Sequence, residues 1–375
     1  MNNYNLIPKK FYYVILDGTS YEIGQQIADL LYRDNKLPQQ LVTSGNTDPQ
    51  KLGFNNFKEI QAFMEEFCPG INDEMQGLAD SLNVNVKNIF YYDWILSGPP
   101  SMFGCTHFSV LGKATTDNHT LTGRSYEWNE DQEDFVLYTT RLKGKPKHIG
   151  FSGLTFGRAE GLNEYGLTVT MSNGGIFGKK LQNKKGFIFW LVIRALLDNC
   201  KNVEEATKYI KNIPILGFFN FIISDKENVL LIECADGVKG FNKIDRKSEE
   251  YYICSTNSYT LPETVKFNKY NIPIRLNGSS FRRSFVGNAL KQDYPEINVE
   301  TIRKTLSKSI PQGVCGHWYS DGFGTNWSLI IDNTDPHIEV CFGAPTHNEW
   351  RIVDFDAPIG IQEYDVIFPD TPAAN

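Results

Sequence analysis

At Cys105 the hydrophobic rhythm of the chain changes, and that change limits the folds open to it. Upstream, apolar residues recur at helical spacing over Ser20 to Tyr32, through Tyr21, Ile23, Ile27, Leu30 and Leu31. The pattern repeats over Phe57 to Phe67, stops at Cys68-Pro69-Gly70, and resumes over Ile71 to Leu82 and Val86 to Ile95. A short strand, Phe11 to Leu16, precedes these helices. Beyond the loop at Ser97 to Ser101 the residues alternate apolar and polar in short runs bounded by Gly, Asn and Asp. Such runs include Phe108 to Leu111, Phe135 to Leu142, Phe219 to Ile223, Val229 to Cys234 and Trp327 to Ile331. Helical spacing returns over Phe187 to Asn199, Val203 to Ile210 and Arg282 to Leu290. The expectation is an α+β fold in stacked layers, antiparallel sheets under helices, with residues 1–104 mainly helical and 105–375 carrying the sheets.

Composition excludes several classes. The chain has 375 residues, 41% apolar and 22% charged, enough to bury a large core. Its net charge is −7, with no cationic cluster beyond Lys143 to Lys147, so no nucleic-acid partner is expected. No run approaches the ~20 apolar residues of a membrane span, and Met1 to Lys10 has no apolar core. A cytoplasmic chain without a membrane partner is the expectation. Seven cysteines without paired spacing predict free thiols.

Cys105 starts a strand-like run, Thr106-His107-Phe108-Ser109-Val110, so no helix N-terminus is at hand to stabilise its thiolate. If the Gly104–Cys105 bond is cut, the new α-amine, with an ordinary pKa of about 7.7–8.0, can serve as the general base. One residue then supplies nucleophile and base, and Gly104 tolerates the backbone geometry that self-attack needs. Alone, a Gly-Cys pair fits a buried structural cysteine better. The next run, Leu121 to Trp128, pairs with the first as a hairpin through a turn near residue 116. That register brings Arg124 and Glu127 within reach of Cys105. A fixed cation lowers a thiol pKa and a carboxylate can hold an amine, although a solvated hairpin ion pair has the same spacing.

Phe103-Gly104-Cys105-Thr106 and Thr122-Gly123-Arg124-Ser125-Tyr126-Glu127-Trp128 resemble the peptidase C45 family, the acyl-coenzyme A:isopenicillin N acyltransferase-like proteins, and more distantly the choloylglycine hydrolases. Gly18-Thr19-Ser20-Tyr21-Glu22-Ile23-Gly24 and Glu74-Met75-Gln76-Gly77-Leu78-Ala79-Asp80 resemble two landmarks of the family's propeptide. Gly161 to Leu167, Ser255-Thr256-Asn257 and Cys341 to Pro345 follow in the family's order. The resemblance implies a four-layer αββα Ntn-hydrolase sandwich, preceded by a mainly helical propeptide and made as a zymogen that cleaves itself before Cys105. Cys105 is then nucleophile and base, Arg124 steadies the thiolate, and Asn173 and Asn257 bind the oxyanion. Arg283 is the last polar site residue, with Arg282 its close rival. Glu127 stands where the family usually has Asp.

The function expected is hydrolysis or transfer of the acyl group of a small linear N-acyl amide, with acyl-coenzyme A as a further candidate partner and no cofactor. His107, Ile176 and Phe177 are the candidate substrate contacts, in an apolar acyl pocket. The alternative is an uncleaved, ligand-binding member of the same fold. Cys315, His317, His337 and His347 match no common zinc spacing, so no metal is expected. The sequence leaves substrate identity and oligomeric state, a homo-oligomer included, undecided.

Overall fold

The alternating runs become strands because each can bury one face against helices and the other against a second sheet. The computed structural model describes residues 4–45, 48–89, 104–153, 155–176 and 185–371. Among these, numbered in chain order, β1 (Asn5–Gly18), β4 (Val136–Leu142), β5 (His148–Gly153), β6 (Gly157–Arg158), β7 (Gly161–Asn163), β8 (Thr168–Asn173), β9 (Phe218–Ser224), β10 (Asn228–Ala235), β11 (Val238–Asp245) and β17 (Gly360–Asp370) form the first sheet. β2 (Thr106–Val110), β3 (Leu121–Trp128), β12 (Tyr252–Ser255), β13 (His317–Trp318), β14 (Phe323–Asp332), β15 (His337–Phe342) and β16 (Trp350–Val353) form the second.

Alternation along single strands shows the layering. In β1, Val14 and Leu16 join a cluster that includes the helices α1 (Ser20–Ile27), α2 (Phe57–Phe67), α3 (Ile71–Leu82), α4 (Phe189–Asn199) and α5 (Val203–Asn212). Tyr13 and Ile15, between them in sequence, face the second sheet with Tyr126, Trp327 and Leu329. In β2, Phe108 and Val110 face α6 (Pro273–Asp293) and α7 (Val299–Ser307) through Val286, Leu290 and Ile302. The layers therefore run helix, sheet, sheet, helix, the αββα order expected.

The upstream segment is more than helical. The strand expected over 11–16 extends over Asn5–Gly18 and lies between β17, antiparallel, and β4, parallel. The helix expected over 20–32 is α1, continued by a π-turn at Ala28–Arg33. Residues 86–89 are helical, and the rest of the helix expected to reach Ile95 lies outside the described residues. α6 starts nine residues before the expected Arg282, and α7 was not expected at all.

The two upstream motifs form one packing unit. Thr19 caps α1 in a reciprocal box with Glu22. α1 crosses α3 so closely that a Cβ on Gly24 would lie 1.9 Å from the Glu74 carbonyl oxygen, and one on Gly77 2.1 Å from that of Tyr21. The buried Glu74 carboxylate reaches Arg194 on α4 at 2.8 Å, and Arg194 holds Asp198 at 2.9 Å. Gly24→Val should lower the unfolding free energy by about 1–3 kcal/mol in denaturant melts; an unchanged midpoint with unchanged slope would contradict this crossing.

Candidate active site

Cys105 immediately precedes β2, and the side chains of Cys105 and His107 point between the sheets while Thr106 and Phe108 point toward α6 and α7. β2 pairs with β3 so that Thr106 opposes Ser125 and His107 opposes Arg124, one residue from the register expected. Arg124 shares the inner face. Its Nη2 lies 3.5 Å from the Cys105 Sγ, its Nε donates to Glu160 Oε2 at 2.8 Å, and its Nη1 donates to the Ser125 carbonyl at 2.7 Å.

Glu160, just before β7, belongs to the opposite sheet, so this fully buried ion pair crosses the sandwich. The other Glu160 oxygen accepts the indole N–H of Trp327. Trp327 stacks at 4.0 Å on Tyr126 and at 4.0 Å on Phe151, and the Arg124 guanidinium lies 4.9 Å from the Tyr126 ring. Burial works against the Arg124 charge, but the Cys105 sulfur and Glu160 outweigh it and raise its pKa. Burial also pushes the Cys105 thiol up, Arg124 opposes it, and Glu127 adds to it. Burial is the largest of these influences, so the net direction for the thiol is upward.

Glu127 and Ser125 lie on the other face of β3. One carboxylate oxygen of Glu127 accepts from Ser125 Oγ and, at 3.1 Å, from Thr325 Oγ1. The second, Oε2, is buried without a hydrogen-bond partner among the described residues. Burial raises the Glu127 pKa to about 7, against the pull of Arg282, Ser125 and Arg124. A Cβ on Gly104 would lie 3.3 Å from the Glu127 Cβ and 2.4 Å from the Phe323 ring, so a larger residue there would have to displace that ring.

On α6 the structure favours Arg282. Its Nη1 donates to the carbonyl oxygen of Gly104, to that of Cys105 at 2.7 Å, and to Thr106 Oγ1 at 3.1 Å. Its Nη2 donates to Asn257 Oδ1 at 2.9 Å, and Asn257 Nδ2 donates to the Asn173 carbonyl at 2.9 Å. Cys105, Arg282, Asn257 and Asn173 are thus one hydrogen-bonded chain. Arg283, the residue expected here, instead reaches Ser258 Oγ at 3.4 Å and lines a separate cleft with Tyr252 and Cys254. The difference in placement has a simple cause: consecutive residues on a helix point about 100° apart.

The remaining expected residues fall elsewhere. His107 is buried with both ring nitrogens engaged, Nδ1 by Thr170 Oγ1 at 2.8 Å and Nε2 by Ser172 Oγ at 3.1 Å. Burial and Arg124 hold it well below the usual histidine range, so it is a neutral tie between the sheets and has no nitrogen left for a substrate. Ile176 packs with Phe218, Ala235 and Tyr259. Phe177 lies outside the described residues. Among the described residues no three His, Cys, Asp or Glu side chains cluster to hold a metal. Sequence reasoning missed Glu160, Thr325 and Trp327. Glu160 had one available signal, its place immediately before Gly161 to Leu167.

A family model described as acyl-coenzyme A:6-aminopenicillanic acid acyl-transferase matches residues 114–347. That stretch includes Arg124, Glu127, Asn173, Asn257 and Arg282 and begins downstream of Cys105. Among solved structures the chain is similar to a penicillin V acylase from Agrobacterium tumefaciens, at 18% identity, over 69% of this chain and 90% of that one, with a TM-score of 0.45. It is also similar to a mutant conjugated bile acid hydrolase from Clostridium perfringens, at 14% identity, over 72% of this chain and 99% of that one, with a TM-score of 0.44. No curated relative matches it.

The Glu127 pKa has a consequence for stability. Between its ordinary 4.5 and about 7 the folded chain holds a proton that the unfolded chain lacks, so this group's contribution declines as pH rises through that window. In a Cys105→Ala chain, Glu127→Gln should therefore gain roughly 1–3 kcal/mol relative to its parent at pH 8 and little at pH 5. Thermal melts at both pH values check this; an equal difference at the two would contradict a buried, proton-holding Glu127.

Proposed function

Because the chain belongs to the acyl-coenzyme A:6-aminopenicillanic acid acyl-transferase family, and is thus an Ntn-type amide hydrolase or acyltransferase, we propose that it cuts its own Gly104–Cys105 bond and then works through an acyl-enzyme on Cys105. The observation that carries this reading is the Arg282 guanidinium on the Gly104 carbonyl, the group that self-cleavage must attack.

In the proposed cut, Cys105 Sγ bonds to the Gly104 carbonyl carbon and negative charge grows on the oxygen that Arg282 already holds. The thiol proton passes to the departing Cys105 nitrogen, the C–N bond breaks, and a thioester remains. Water hydrolyses it, leaving a Gly104 carboxylate, the free thiol and a new α-amine. Support for the amine's resting place comes from Glu127, whose buried Oε2 has no hydrogen-bond partner among the described residues. The Glu127 Cβ lies 3.3 Å from the point a Gly104 Cβ would occupy, and the Arg282 charge acts on the carboxyl, which supports this reading.

In turnover the amine takes the thiol proton, Sγ attacks the substrate amide carbonyl, and the same proton goes to the leaving amine. Arg124 steadies the thiolate, and Asn257 and Asn173, joined to Arg282, supply neutral polar groups at the developing oxyanion. Water or an acceptor amine then resolves the thioester, giving hydrolysis or acyl transfer. We take the substrate to be a small N-acyl amide with an apolar acyl group, set against Ile176, Phe218 and Tyr259. Acyl-coenzyme A, named in the family's description, is the proposed donor for transfer.

Denaturing gels of purified protein should show two pieces, the larger beginning at Cys105, and Cys105→Ala should show one. Intact wild-type chain under all conditions would overturn self-cleavage and favour a ligand-binding role. The two pieces should stay together under native conditions, because β1 is an interior strand of the first sheet. Arg282→Ala should slow the cut by about 100-fold, the typical cost of losing one oxyanion donor, while Arg283→Ala cuts normally; the reverse pattern would return the assignment to Arg283. A panel of N-acyl amines and N-acyl amino acids should show preference for long or aromatic acyl groups, and preference for short charged ones would refute the apolar pocket.

A further inference from the structure

The segment that carries Arg282 has a second face that the chemistry does not use. Inward, α6 buries Ser279, Arg282, Val286, Gly287 and Leu290. Outward, Ile274 is 71% exposed and Phe281, seven residues on and so on the same side, is 48% exposed. Just before the helix, Val265, Tyr270 and Ile272 are also exposed. Five of the twelve large apolar residues exposed among the described residues therefore fall within seventeen consecutive positions. Single exposed apolar residues are ordinary, but a cluster of this kind marks a contact surface.

Charge says what the contact is. The chain as a whole is acidic, at −7, yet from Thr264 to Gln292 it has six cations, Lys266, Lys269, Arg275, Arg282, Arg283 and Lys291, and no carboxylate. Lys266 and Lys269 are exposed. Among the described residues their ammonium groups lie over the rings of Phe267 and Tyr270 at 5.6 and 5.0 Å, and neither takes part in an ion pair. Apolar side chains interleaved with unpaired lysines match a surface that is negative at its headgroups and apolar beneath.

We propose that Val265–Phe281 docks the enzyme on an anionic lipid surface, with Ile274 and Phe281 inserted and Lys266 and Lys269 at the headgroups. The place of the patch gives this a purpose. Asn271, beside Ile272, donates to the Asn257 carbonyl at 3.2 Å, and Arg282, beside Phe281, donates to the Cys105 carbonyl at 2.7 Å. The middle of the patch and its C-terminal end thus adjoin residues hydrogen-bonded around Cys105, so docking would hold the nucleophile's surroundings near the interface where apolar acyl chains reside. Among the described residues no helix is long and apolar enough to cross a membrane, so the proposed contact is at the lipid surface.

Cosedimentation of the full chain with vesicles tests this. With phosphatidylglycerol-containing vesicles, binding should exceed that to pure phosphatidylcholine by about tenfold and fall at high salt. Ile274→Glu with Phe281→Glu should lose about that factor, and Lys266→Glu with Lys269→Glu, which leaves the helix untouched, should do the same. Cys105→Ala should bind as wild type does, so a failure of vesicle binding and a failure of the chemistry are read separately. Equal binding to both vesicles, or undiminished binding by both variants, would overturn the proposal. So would a lipid-free dimer that Ile274→Glu dissociates, which would assign the patch to a second copy of the chain.

Discussion

The Arg124–Glu160 pair is the constraint around which the centre of this molecule is arranged. Both residues are fully buried, one from each sheet, and removing either would strand a charge at a cost of about 3–5 kcal/mol. A pair of well-packed apolar residues would hold two sheets together equally well. What the ion pair adds is a cation fixed beside a sulfur in a dry, aromatic setting, where its field is screened little. Tyr126, Trp327 and Phe151 keep water from it, and Trp327 also fixes the carboxylate that fixes the arginine. The strand alternation of β2 and β3 then decides the rest, because Cys105 and Arg124 must share the inner face while Glu127 takes the outer one.

The second face matters as much. Glu127 and Arg282 approach the Gly104–Cys105 bond from the helix side, and Arg124 approaches the sulfur from between the sheets. The bond is held between two opposite sets of groups. A buried carboxyl with a pKa near 7 and one oxygen without a hydrogen-bond partner among the described residues is a costly arrangement in the uncut chain. In the proposed cut, a new ammonium beside it would give that oxygen a charged partner and relieve that cost. The other oxygen of the Glu127 side chain is anchored by Ser125 and Thr325, which fixes where the first one can lie.

Much of this was legible in the sequence, and the misses have physical reasons. Period-two alternation identified most strands, and the hairpin placed Arg124 and Glu127 near Cys105 to within one residue. The role of β1 was not legible, since pairing with β17, some 350 residues away, leaves no local trace. α6 was seen only from Arg282 because Pro273, Gly278 and the outward Ile274 and Phe281 blur its apolar stripe. The choice between Arg282 and Arg283 depends on helix phase, which neighbouring arginines do not reveal. Glu160 was missed because a carboxylate before a strand reads as a turn residue until its partner across the sandwich is known.

The central claim is that Cys105 becomes both the first residue of a new chain and the bearer of the acyl group. Intact-mass and peptide spectrometry of purified enzyme, quenched in acid during turnover of an N-acyl amide, tests it directly. The account predicts a chain starting at Cys105 that carries one acyl group on that residue, removable by hydroxylamine. An acyl group on another residue, or on Cys105 in a chain whose Gly104–Cys105 bond is still intact, would contradict it.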